Sequence, residues 1–140
     1  MTTMMQEEVV SVRFTLREKQ ALTSTATLLG TQAGKLAAAY TNEGVRRSRF
    51  PAIEFRDGQP GRVAYLYGSR WPVWMVVDLV RSLGGNVEAA AQHLERPAAL
   101  VKMGLAYAEA YPEEIEASLA LHAGRDFAGL KAEVPELEAL

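Results

Sequence analysis

The chain has 140 residues and no cysteine, with a formal net charge of −2. That length suits one domain or two small ones, and the absence of thiols excludes a disulfide scaffold and any thiolate metal site. No apolar run approaches the roughly 18 to 20 residues of a membrane span, and the N-terminus lacks a basic region followed by an apolar one, so a cytoplasmic protein is expected. Residues 1–8 read as an N-terminal tail. Val10, Val12 and Phe14 then alternate with Ser11, Arg13 and Thr15, the period of a half-buried strand. Thr15 and Glu18 have the spacing of a capping box, which opens a helix carrying Leu22, Ala26 and Leu29 on one face and stopping at Gly30. Thr31 is placed to cap a second helix, with Ala33, Leu36, Ala37, Tyr40 and Gly44 turned inward.

Further along, Ile53 and Phe55, then Val63, Tyr65 and Tyr67, predict two strands around a loop rich in Asp, Gly and Pro. The remainder reads as helical. Pro72 opens a helix bearing Val73, Val76, Val77, Val80 and Leu83 that ends at Gly84-Gly85. Asn86 caps a short helix with Val87, Ala90, Ala91 and Leu94, and a break at Glu95-Arg96-Pro97 leads to one with Leu100, Val101 and Leu105. Pro112 opens the next, and its early glutamates complement the helix dipole. Residues 125–140 are acidic and space Phe127, Leu130, Val134 and Leu137 by three or four, with Pro135 interrupting any continuous helix.

A lone strand at 9–15 leaves its backbone groups in need of partners. It either joins the later hairpin as a third strand or pairs with its own copy about a two-fold axis. The strand–helix–helix order over residues 9–48, the Thr15 cap, the Gly30-Thr31 turn and the "EGVRR" ending resemble the ribbon-helix-helix family of dimeric DNA-binding proteins. The resemblance implies a dimer strand with Val10, Val12 and Phe14 facing the core, and Val9, Ser11 and Arg13 facing the major groove. Arg13 has the fork that matches guanine. In the same resemblance the start of the second helix, Thr31 and Gln32, offers backbone amides to a phosphate. Lys35, Arg17 and Lys19 add attraction that does not depend on sequence.

Residues 51–119 resemble the family called domain of unknown function 433. The resemblance rests on the Pro-Ala-Ile entry, Gly68-Ser69-Arg70 before Val73-Trp74, the Gly84-Gly85 break and "GLAYAEAYPEEIE" at 104–116. It implies a hairpin-led bundle with a helix-turn-helix-like core and an antitoxin's place beside a PIN-like ribonuclease. The second helix of that core, 98–110, has Lys102 as its only base, which favours packing over DNA reading. Trp74 is expected in the core and Trp71 at a partner surface.

Charge divides along the chain. Residues 1–70 hold ten Lys/Arg against six Asp/Glu, and residues 71–140 hold five against eleven. The acidic end either folds back to bury Phe127, Leu130, Val134 and Leu137 or lays them in a partner's groove. His93 and His122 stand 29 positions apart outside any ligand spacing, no nucleophile or phosphate-binding motif is present, and neither catalysis nor a cofactor is expected.

The expected fold is therefore mainly α with a little β. A dimeric ribbon-helix-helix (9–48) precedes a β-hairpin and small helical bundle with a helix-turn-helix-like core (49–124), then an acidic segment (125–140). The expected function is that of an antitoxin: a homodimer that binds operator DNA and neutralises a PIN-like ribonuclease toxin. The alternatives are a stand-alone transcriptional regulator and a protein-interaction module without DNA binding.

Overall fold

The computed structural model describes residues 7–57 and 62–123. Six helices and one two-stranded antiparallel hairpin follow in the order α1 (Leu16–Leu29), α2 (Ala33–Arg49), β1 (Ile53–Asp57), β2 (Arg62–Leu66), α3 (Val73–Ser82), α4 (Val87–Leu94), α5 (Ala98–Ala110) and α6 (Pro112–Leu121). The chain divides into two compact units, with the boundary between Asn42 and Glu43.

Among the described residues the first regular element is a helix, so the ribbon-helix-helix expectation is corrected. Residues 7–15 form no strand, and the sheet of the described residues consists of β1 and β2 alone. Alternation of Val10, Val12 and Phe14 supplies the side-chain pattern of a strand, but a strand also requires a backbone neighbour. Among the described residues none lies beside this segment, and its residues face solvent, Phe14 with about 48% of its surface open. Helix α1 begins where the local chemistry says it should. The Thr15 hydroxyl accepts from the Glu18 amide at 3.1 Å, and the Glu18 carboxylate accepts from the Thr15 amide at 2.8 Å. Gly30 closes the helix at φ 71, a left-handed conformation that a side chain would strain.

Within this first unit, burial is sparse. Ala26 and Leu36 are the only buried side chains among its described residues, while Leu28, Leu29 and Tyr40 are exposed, against the inward placement read for Leu29 and Tyr40. Helices α1 and α2 do not pack along one another. Leu36 donates its amide to the Gln32 carbonyl, so Gln32 rather than Thr31 holds the capping position of α2.

The second unit is built around α3. Val73 through Val77, Leu79 and Val80 are all buried, while Asp78 between them is half-buried. Helices α4, α5 and α6 and strand β2 surround it. The hairpin pairs Ile53 with Leu66 and Asp57 with Arg62. Strand β2 buries Val63, Ala64 and Leu66, so both of its faces are covered and the inner positions are not simply Val63, Tyr65 and Tyr67. Tyr67 lies beyond the strand and is exposed. A tight turn follows: the Ser69 hydroxyl donates to the Leu66 carbonyl at 2.9 Å and accepts from the Trp71 amide at 3.1 Å. That turn folds Trp71 inward to 3% exposure, which corrects its assignment to a partner surface. Trp74 is buried as expected.

Between α4 and α5, Glu95 is held at φ 55, the only non-glycine residue with positive φ among those described. Its amide still caps the helix by bonding to Gln92 and Ala91. A left-handed residue with a Cβ carries a conformational cost that glycine avoids. Glu95→Gly is therefore expected to stabilise the chain by about 0.5–1 kcal/mol, read as a raised thermal midpoint. A lowered midpoint would show that the Glu95 side chain contributes more than its backbone costs.

Candidate functional site

Polar chemistry in the second unit concentrates where the end of α2 meets α5 and α6. Tyr107 is completely buried, and its hydroxyl accepts from Arg46 at 3.1 Å and donates to Glu114 at 2.8 Å. Arg46 also pairs directly with Glu114, and its guanidinium lies 4.2 Å over the Tyr111 ring. Phe50 stands edge-on to Tyr107 at 5.4 Å and to Tyr111 at 6.1 Å. Burial, followed by the hydrogen bond to Glu114 and its charge, pushes the Tyr107 hydroxyl above the usual phenol range against the opposing effect of Arg46. Burial works against the charge on Arg46, but attraction to Glu114 and Tyr107 outweighs it and the guanidinium is held more firmly protonated. All three polar groups are satisfied by one another, which makes the cluster a clasp between the end of α2 and helices α5 and α6.

A second pairing holds the hairpin. Arg62 grips Glu43 through two hydrogen bonds of 2.9 Å and reaches Asp57 across the strands at 3.1 Å. The bidentate bond to Glu43 is the main reason its charge is stabilised. Among the described residues, no three His, Asp or Glu side chains gather to hold a metal ion. His93 sits in the last turn of α4, and His122 at the end of α6 stacks on Trp74 with ring centroids 4.2 Å apart.

The residues read as DNA-facing are distributed as follows. Val9, Ser11 and Arg13 lie on the extended segment before α1 and are open to solvent, Val9 with about 92% of its surface. Gln32 and Lys35 are exposed at the start of α2, and Thr31 beside them is half-buried. Val10, Val12 and Phe14, expected to face a core, are exposed on the same segment as Val9. Phe127, Leu130, Val134 and Leu137 lie outside the described residues. The helix-turn-helix-like pair is α4 and α5, whose outer face presents Ala99, Lys102, Met103, Ala106 and Glu109. One cation offset by one carboxylate is poor equipment for a phosphate backbone.

Two apolar grooves open on the second unit. One, of about 400 Å³, lies between α3, α5 and α6 over Val77, Val80, Leu105 and Ile115, with the Arg81–Glu116 pair at its lip. The other, of about 280 Å³, lies between β2, Trp74 and the outer side of α6.

Sequence reasoning missed the Arg46–Tyr107–Glu114 clasp. Its members lie 61 and 68 positions from Arg46, and "EGVRR" reads locally as a helix end whose bases suit the dipole. Comparison with family models, with curated proteins and with solved structures finds no match for this chain. No helix of the described residues is long and apolar enough to cross a membrane.

Proposed function

We propose that the chain is an antitoxin of the type II class, which associates with a second copy and binds operator DNA through its first unit. Its acidic second half would neutralise a PIN-like ribonuclease. The N-terminal unit carries this reading. A 14-residue helix without packing is marginal in water, and a unit that buries little more than Ala26 and Leu36 lacks the core to hold itself. The exposed Val9, Val10, Val12, Phe14, Leu16 and Leu28 supply the missing burial once another surface covers them. Arg13, Arg17, Lys19 and Lys35, against Glu18 alone over residues 9–42, give the same unit a basic character suited to phosphate. The acidic remainder, together with Phe127, Leu130, Val134 and Leu137, suits a basic nuclease cleft.

Two measurements test the reading together. Sedimentation is expected to give a dimer that Phe14→Glu converts to monomer. Anisotropy with DNA from just upstream of the gene is expected to show binding that weakens with salt. Arg13→Ala, which removes the guanidinium read as a guanine contact, should weaken that binding and relax its preference for the upstream sequence. A monomer indifferent to DNA would overturn the reading and leave a protein-interaction module.

A further inference from the structure

We propose that the groove between α3, α5 and α6 receives residues 9–16 of a second copy of the chain, with Phe14 as the anchor. The inference rests on the association with a second copy proposed above and names the surface that covers the segment. The floor of the groove is apolar: Val77, Val80 and Ile115 are buried, Leu105 and Ala108 are half-buried, and Pro112 borders them. Its volume of about 400 Å³ has room for more than one apolar side chain. Three charged residues complete the lining. Arg81 and Glu116 hold each other at 2.7 Å, whereas Glu109 is exposed and makes no ion pair or side-chain hydrogen bond among the described residues. The groove therefore asks for an apolar occupant with a positive charge beside it. The smaller groove beside β2 makes no such demand, because its Arg62 is held by Glu43 and Asp57 and its Glu114 by Arg46 and Tyr107.

The segment before α1 has the matching chemistry. Laid out extended, it turns Val10, Val12 and Phe14 to one side and Val9, Ser11 and Arg13 to the other. The first three are all exposed, and burying them supplies the affinity. Arg13 stays on the outer side, where the DNA contact proposed for it remains open. Beyond Phe14 come Arg17 and Lys19, exposed and without an ion pair among the described residues, while Glu18 between them is engaged with the Thr15 amide. Glu7 and Glu8 stand at the opposite end. Charge thus sets the direction, with Arg17 beside Glu109 and the two glutamates away from it.

Each copy offers one segment and one groove, so a two-fold dimer makes the contact twice. That doubling carries a short segment toward the roughly 1,000 Å² of buried surface that a stable interface needs.

Sedimentation of the full-length protein tests the docking by complementation. Phe14→Glu spoils the segment and leaves the groove intact, and Ala108→Glu spoils the groove and leaves the segment intact. Each alone is expected to be monomeric, its dimer dissociation constant raised by about a hundredfold or more. Mixed at equal concentration, they should form a heterodimer through the one contact that remains. Circular dichroism and a melting midpoint equal to the parent's establish that each variant folds. Should Ala108→Glu fail to fold, a charge exchange between two exposed positions decides the matter. Glu109→Arg and Arg17→Glu should each weaken the dimer by about tenfold, and together restore it to within about threefold of the parent. A mixture that stays monomeric would overturn the proposal, as would a double variant that shows no recovery. A dimer broken by Phe14→Glu but untouched by Ala108→Glu and Glu109→Arg would also overturn it, yet would leave association through the first unit standing. A monomeric parent would overturn both.

Discussion

Replacing Glu114 with alanine is expected to destabilise the second unit by about 2–3 kcal/mol. The substitution leaves the Tyr107 hydroxyl inside the protein without its acceptor and Arg46 without its carboxylate. The Arg46 and Glu114 side chains remain 29% and 31% exposed, so water softens the loss below that of a fully enclosed ion pair. Urea unfolding of the full chain measures it, and a change below about 0.5 kcal/mol would mean that the clasp is ornamental. Tyr107→Phe removes the hydroxyl alone and should cost less, about 1–2 kcal/mol near neutral pH.

The two proteins should also differ in alkali. The folded hydroxyl keeps its proton above the usual phenol range, whereas an unfolded tyrosine releases it near pH 10. Native chains therefore bind more protons than unfolded ones above that pH, and stability falls as pH rises. The contribution is fully present below about pH 10 and is lost as pH climbs toward the folded value. The advantage of the parent over Tyr107→Phe should accordingly hold up to about pH 10 and shrink between about pH 10 and pH 12. An advantage that stays constant across that interval would show that the hydroxyl is not shielded in the folded state.

Gly104→Val should have an effect at least as large. A Cβ at Gly104 would stand 2.8 Å from the Cδ2 atom of Leu66, closer than carbon atoms pack. Leu66 is fully buried and has no solvent to swing into. Alanine at this position gains about 1 kcal/mol of helix propensity against an overpacking cost of about 1–3 kcal/mol, and its net effect should be small. Valine adds two methyl groups to the same crowded contact and loses most of the helical gain. A fall of more than about 10 °C in thermal midpoint is expected for a unit of this size. A valine variant that melts with the parent would require α5 to shift away from β2, which a smaller Leu66→Val change in the same background would expose as additivity.

Local signals carried much of the architecture. The Thr15–Glu18 box, Gly30, Asn86 and Pro112 each act within a few residues, and each is where its chemistry placed it. Pro72 and the spacing of Val73, Val76, Val77 and Val80 indicated a helix there, and the structure buries Trp74, Met75 and Leu79 of it as well. What failed was what depends on a distant neighbour. The alternation at 9–15 fits a strand and equally an unpaired extended segment, and only a second backbone decides between them. Val63 and Tyr65 suggested one inward face of β2, whereas Ala64 and Leu66 face another layer of the same protein. Trp71 looked open beside a proline, and the Ser69 turn two residues earlier puts it inside. For the candidate site, the sequence placed exposed bases on the first unit but could not show how little that unit buries.

Helix α2 crosses from one unit to the other, and its two ends live under different conditions. Near Arg46 it is riveted through Glu114 and Tyr107, and Phe50 is wedged beside the rings of Tyr107 and Tyr111. Near Ala33 only Leu36 is shielded, and α1 lends it no support. Opening to solvent is thus cheap at the first turns and costlier at the last turn, where it would break the contacts of Arg46 and Phe50. The helix is a graded rod, anchored at its rear and free to fray at its front. A surface that covers the N-terminal residues would extend its order forward, turn by turn, from the anchored end.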